Sequence, residues 1–247
     1  MLTVDLLLQA KPSGLEWLSL SPPGWGKNML VGLLSTVQIA LGAYALGTTI
    51  GLLGALGKMH GGPILRGILE VYTTIIRAVP ELVLILLIYY AGTDFLNRTL
   101  EAFGYPPLDI SGLAAGIFVI GFVMGAYATE VLRGAIASIP IGQIEAAKAY
   151  GMTFSQRFRR IIIPAMIPLA LPGMANLWLI VTKDTALLSV VGFTELATVT
   201  KQAAGTTREY LTFYIAAASL YLALTLVSNV FFRWLERRYR RGQAKPV

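Results

Sequence analysis

The chain has 247 residues, 55% of them hydrophobic and only 13% charged, and a net charge of +7. That charge content is about half of the roughly 25% usual in soluble domains, so the composition points away from a soluble enzyme or binding module and towards an integral membrane protein. With no cysteine there is no disulfide and no thiolate metal site, and the single histidine, His60, makes no zinc site by itself.

The opening residues, MLTVDLLLQAKPSG, lack a basic start and carry Asp5 and Lys11 around a short apolar run. They do not read as a signal peptide, so the first spanning segment is expected to target the chain. A spanning helix needs about 20 mostly apolar residues. Five segments qualify: Met29 to Leu56, Ile64 to Ala91, Ser111 to Leu132, Pro164 to about Thr182, and Tyr210 to Trp234. The second is interrupted by Arg77, Pro80 and Glu81. It is read as one span with a kink at Pro80, relieved by neighbouring helices. The short apolar block DTALLSVVGF, Asp184 to Phe193, reads as a re-entrant or interfacial piece.

Charge supports this division. Five spans with the N-terminus outside place thirteen basic residues on the inner side, among them Lys58, Arg133 and Arg157, and six on the outer side. Cytoplasmic segments should be the basic ones, and splitting the second segment would break the pattern from the third span onward. Small residues recur at helical spacing: Ala43, Gly47, Gly51 and Ala55 in the first span, and Gly112, Gly116, Gly121 and Gly125 in the third. Such stripes let helices approach closely, and packing within the chain is the favoured reading over a subunit interface. The whole of 1–247 reads as one all-α membrane domain, with no linker and no low-complexity segment.

Between the third and fourth spans lies a polar, punctuated stretch, EAAKAYGMTFSQRFRRIIIP. Pro140 marks a helix start, Glu145 to Ala149 are good helix formers, and Gly151 is a stop. Thr153 and Gln156 have the spacing of a capping box for a second short helix. Residues 138–163 thus predict a helix–turn–helix knob on the inner face.

The series Glu145, Ala146, Ala147, Gly151, Ile161 and Pro164 resembles the EAA loop of binding-protein-dependent ABC importer permeases, with Ile163 where Leu is usual. IRAVPELVLILLIYY, KDTALLSVVG and RWLERRYRR are similar to the polar amino acid permeases, especially those for basic amino acids or opines. The resemblance implies a five-span type I importer permease fold. It also implies that the six named residues form the coupling element, seated on a cytoplasmic ATPase dimer. Its other implied partners are a second permease chain, identical or a sister, a periplasmic solute-binding protein and membrane lipid, at the bacterial inner membrane. The expected orientation has the N-terminus periplasmic and the C-terminus cytoplasmic.

No phosphate-cradling loop is present: GLLGALGKM has Leu52 at the first glycine position and Met59 where Ser or Thr should stand. No cofactor is expected on this chain; ATP and Mg would be used by the ATPase partner. No catalytic residue and no nucleic-acid partner is expected. A passive channel or membrane scaffold is the alternative from another class. Ionisable and polar residues at membrane depth are the remaining candidates: Asp184 foremost for a solute's cationic group, then Glu130, Glu81, Asn176 and Thr185 along the pathway. Glu70 and Arg77 could instead pair with each other, and Glu130 with Arg133.

Overall fold

The computed structural model describes residues 14–108 and 110–239. The signal-peptide reading of the N-terminus, and the basic residues Lys11, Arg240, Arg241 and Lys245, lie outside the described residues. A 3₁₀ turn, Gly14–Leu18, precedes α1, Gly26–His60. Then come α2, Pro63–Ala78, α3, Glu81–Leu86, and α4, Gly92–Ala102, with a π turn at Leu87–Ala91 between the last two. Helix α5 is Gly112–Ala137, α6 Ile141–Ala149 and α7 Phe154–Arg157. Helix α8 is Ile163–Asp184, α9 Leu196–Thr207 and α10 Tyr210–Tyr239. Among the described residues there is no strand.

Four stretches are long and apolar enough to cross a membrane: α1, α5, Phe154–Val191 and α10. The pair α2 and α3–α4 adds a fifth crossing when counted as one broken span. Here the structure corrects the kink expected at Pro80, because the axis bends by 117°. Val79 is extended, with φ −98° and ψ 138°, as a residue before proline prefers, and Pro80 caps α3 without a backbone N–H to continue α2.

The central contact is α1 on α5, and it depends on missing side chains. A Cβ on Gly47 would stand 2.9 Å from the Gly121 carbonyl oxygen, and one on Gly121 would stand 3.1 Å from that of Ala43. Ala43, Gly47, Gly51 and Ala55 are all buried. The small-residue stripe therefore joins two helices of one chain. Gly112 and Gly116 face Phe193 and Leu188 instead. Helix α8 closes the bundle: Tyr44 Oη donates to the Met174 carbonyl at 3.2 Å, and Trp178 Nε1 to Ser228 Oγ at 2.8 Å.

Two further differences from the sequence reading are physical. Pro164 does not separate the knob from the membrane helix, since a π turn, Phe158–Ile162, links α7 to α8 and Pro164 lies in the first turn of α8. A wide turn accommodates the hydrogen bond that proline cannot make. The block after Asp184 is a 3₁₀ extension of α8, Thr185–Val191, ended by Gly192 at φ 84°. The chain then folds back as α9, a helix that apolar length alone does not announce. At 12 residues it is too short to cross a membrane, yet its Leu196, Val199, Ala203 and Thr207 form one buried face.

Candidate functional site

The knob is built as its sequence requires. Helix α6 ends in a tight turn at Gly151, φ 71°, where Gly151 N donates to Lys148 O and Met152 N to Ala147 O at 2.9 and 3.1 Å. Thr153 and Gln156 form a reciprocal capping box. Ala147 is buried against the rest of the chain, while Glu145, Ala146 and Gly151 are exposed. Ile161 is half-buried and Pro164 exposed. Tyr150, 86% exposed, and Ile141 give the knob apolar groups that none of the described residues covers. His60, at the end of α1, stacks edge-on against Phe154 of the knob at 5.2 Å. The loop is thereby tied to the bundle at this, the loop end of the molecule.

Charged and polar side chains gather at three levels above it. Nearest the loop end, buried Lys58 Nζ lies 2.6 Å from both Glu70 and Glu130 and 2.7 Å from Thr73 Oγ1. Arg133 bonds Glu130 through two nitrogens, at 2.9 and 3.0 Å. Glu130 pairs with Arg133 as expected, but Glu70 takes Lys58 rather than Arg77. Glu130 is thus held by two cations and is not free to meet a solute.

The middle level sits where α3 begins. Tyr127 Oη donates to Glu81 Oε1 at 3.1 Å. Asp184, half-buried at the end of α8, is within electrostatic reach of both Glu81 and Tyr127. Its carboxylate accepts no hydrogen bond and makes no ion pair among the described residues. Between α5 and α8 the crevice beside Asp184, lined by Met124, Tyr127 and Ile180, narrows to about 10 Å³. That space is too small to hold an amino acid within one chain.

At the far end lies a residue that sequence reasoning missed. Glu195, 0% exposed, caps α9 by accepting from Ala197 N and Thr198 N at 2.8 and 2.7 Å. Thr198 Oγ1 and Tyr221 Oη each add a bond of 3.1 Å, and Thr36 Oγ1 one of 3.4 Å. Thr36 in turn accepts from Leu196 N. Thr185, expected along the pathway, is fully buried and donates to the Thr182 carbonyl. It also neighbours the Tyr221 hydroxyl, so it faces the Glu195 cluster. Asn176 is separate as well: it opens into a groove of about 270 Å³ between α8 and α10 with Asn229 and Arg233. Of the five pathway candidates, the structure brings only Glu81 and Asp184 together. The one legible sign of Glu195 was a carboxylate just before the small and apolar residues of α9.

A bundle of spanning helices with one broken span, charges collected at the break and a structured knob at one end defines a membrane transport subunit. The chain belongs to the family described as binding-protein-dependent transport system inner membrane component, which matches residues 47–241. It is 44% identical over 219 residues to the histidine/lysine/arginine/ornithine transport system permease protein HisQ of Escherichia coli K12, covering 89% of this chain and 96% of that one. It is 38% identical over 233 residues to the octopine transport system permease protein OccQ of Rhizobium radiobacter, covering 94% and 98%. A solved amino acid ABC transporter with histidines superposes with a TM-score of 0.72 at 31% identity, over 87% of this chain and 95% of that chain. The MetNI methionine transporter, at 19% identity and a TM-score of 0.73, shares the fold. The chain is thus a multi-pass inner-membrane permease subunit of an ABC importer and not an enzyme. It works with an ATPase and a solute-binding protein.

Proposed function

We propose that this permease translocates polar amino acids with a cationic side chain, and that Glu81 and Asp184 meet the positive groups of the solute. The observation that carries the reading is a pair of carboxylates within electrostatic reach of each other, Glu81 at the break of a spanning helix and Asp184 at the end of α8, of which, among the described residues, only Glu81 is hydrogen-bonded and neither is ion-paired. A cation at membrane depth needs a paired charge, and relatives named for histidine, lysine, arginine and ornithine transport support the same class. The octopine and nopaline permeases among the relatives favour a second reading, an opine solute. ATPase stimulation of the reconstituted importer across arginine, lysine, neutral amino acids and octopine separates the two. Stimulation by neutral amino acids alone would sink both.

The knob of residues 138–163 is proposed to couple the chain to the ATPase, through Glu145, Ala146, Ala147, Gly151, Ile161 and Pro164. The assembly is read as two permease chains, identical or sister, on a cytoplasmic ATPase dimer, with a periplasmic binding protein delivering solute. This chain binds no cofactor in that reading; ATP and Mg belong to the ATPase. The loop end is cytoplasmic and the N-terminus periplasmic, which puts the denser basic charge inside. A Ser155→Cys variant in this cysteine-free chain should react only with reagent admitted to the cytoplasm; labelling in intact cells from outside would reverse the orientation.

Coupling is tested at Gly151. A Cβ there meets nothing within 4 Å among the described residues. Within the chain, a side chain adds only the strain of a positive φ, about 1–2 kcal/mol. Any larger effect of Gly151→Asp arises from a carboxylate forced into a protein contact. Uptake is expected to fall about tenfold or more while membrane insertion persists. Normal uptake at normal expression would remove the knob from coupling.

A further inference from the structure

Arg77 is a charged group near the break that the reading above leaves unused. It stands exposed in the last turn of α2. Among the described residues it makes neither an ion pair nor a hydrogen bond. The backbone fixes its level. Its neighbour Ile76 packs with Val123 and Ala126 of α5, directly before Tyr127. Arg77 is within electrostatic reach of the Tyr127 hydroxyl that donates to Glu81. The 117° bend at Val79 and Pro80 turns the chain between Arg77 and Glu81, so both sides of the break contribute a charge to one place.

An unpaired guanidinium on a membrane helix is unfavourable unless something meets it. The cations of the loop-end cluster contrast with it: Lys58 has two carboxylates and Arg133 has one. Glu81 and Asp184 do not fill that role for Arg77, as neither forms a salt bridge with it. Lys183, the residue before Asp184, is exposed and adds a positive charge within reach of that carboxylate; the three side chains assigned to the solute, Arg77, Glu81 and Asp184, sum to a charge of −1. An amino acid with a cationic side chain sums to +1, from one carboxylate and two cations. The groups match one for one, and guanidinium is suited to grip a carboxylate through two parallel hydrogen bonds.

We propose that Arg77 is a specificity-determining residue that binds the α-carboxylate of the solute, leaving Glu81 and Asp184 for its two positive groups. The assignment rests on the cationic amino acid reading above. It explains discrimination in two directions. A neutral amino acid leaves one site carboxylate without its cation, and a cationic amine without a carboxylate leaves Arg77 unpaired and repelling.

The test uses the purified permease–ATPase complex without the binding protein, so that only the membrane site is read. Equilibrium binding of arginine and of agmatine, its decarboxylated counterpart, is measured on the parent chain, Arg77→Gln and Arg77→Lys. For Arg77→Gln, arginine binding should weaken about 10- to 100-fold, as the loss of a charged hydrogen bond implies, while agmatine binding tightens because the opposing cation is gone. Arg77→Lys keeps the charge without the paired geometry. It should weaken arginine by a smaller factor without improving agmatine, and it carries the test if Arg77→Gln does not fold. Equal weakening of both ligands would make Arg77 a structural residue and overturn the assignment, as would unchanged arginine affinity. A parent complex that binds octopine or neutral amino acids but not arginine would instead overturn the cationic amino acid reading, and this assignment with it.

Discussion

Asp184 and Glu195 stand at the two ends of one short stretch of chain and have opposite surroundings. Glu195 is fully buried and its oxygens accept from two backbone amides, two threonine hydroxyls and a tyrosine. Asp184 is half-buried and accepts no hydrogen bond among the described residues. A carboxylate whose lone pairs are all occupied holds elements together: Glu195 joins the start of α9 to α1 and α10. One whose lone pairs are open is available to something outside the chain. Burial alone would have ranked the two in the wrong order, since the more buried group is the one already satisfied.

The contrast is broken or sharpened by substitution. The largest expected effect is on Glu195. Glu195→Ala leaves several buried donors without an acceptor, and each such group costs about 1–3 kcal/mol. The purified chain should therefore lose on the order of 3 kcal/mol or more in thermal unfolding, with Glu195→Gln losing less because one carbonyl oxygen remains. An unfolding midpoint unchanged by Glu195→Ala would show that the cluster does not hold α9.

Asp184→Asn should do the reverse. Unfolding should stay within about 0.5 kcal/mol of the parent, as for a substitution that breaks no internal partner. Arginine and lysine uptake should fall about tenfold or more, far more than uptake of any neutral solute, with basal ATPase activity retained. An equal loss for all solutes would assign Asp184 to gating or assembly.

Glu70 gives the smallest effect and tests the middle case, a bonded but exposed carboxylate. Its side chain is 66% exposed although Lys58 is 4% exposed. Glu70→Gln leaves Lys58 with Glu130 and Thr73. The expected loss is about 1 kcal/mol or less, read in the same unfolding experiment, and a drop as large as that of Glu195→Ala would mean that exposure is a poor guide to how this network is screened.

Local pattern and long-range pairing divide what was legible. Apolar length is a property of the chain itself, so the sequence determined four of the spans and the all-helical fold class. The knob followed from residues only a few positions apart: Gly151 at a positive φ, and Thr153 with Gln156 three residues on. Pro80 announced an interruption, but whether it kinks a helix or turns it by 117° depends on what Ile76 and Leu84 pack against on α5, which periodicity does not encode. Helix α9 stayed hidden because a helix folded back against two others needs neither the length nor the uniform apolarity of a crossing. The fate of each carboxylate was decided only by tertiary structure. Glu130 meets Lys58 across 72 residues of sequence and Glu195 meets Thr36 across 159, whereas Asp184 is left with open lone pairs. A buried charge is stabilised or left available by the groups that folding brings to it, and those groups come from distant helices.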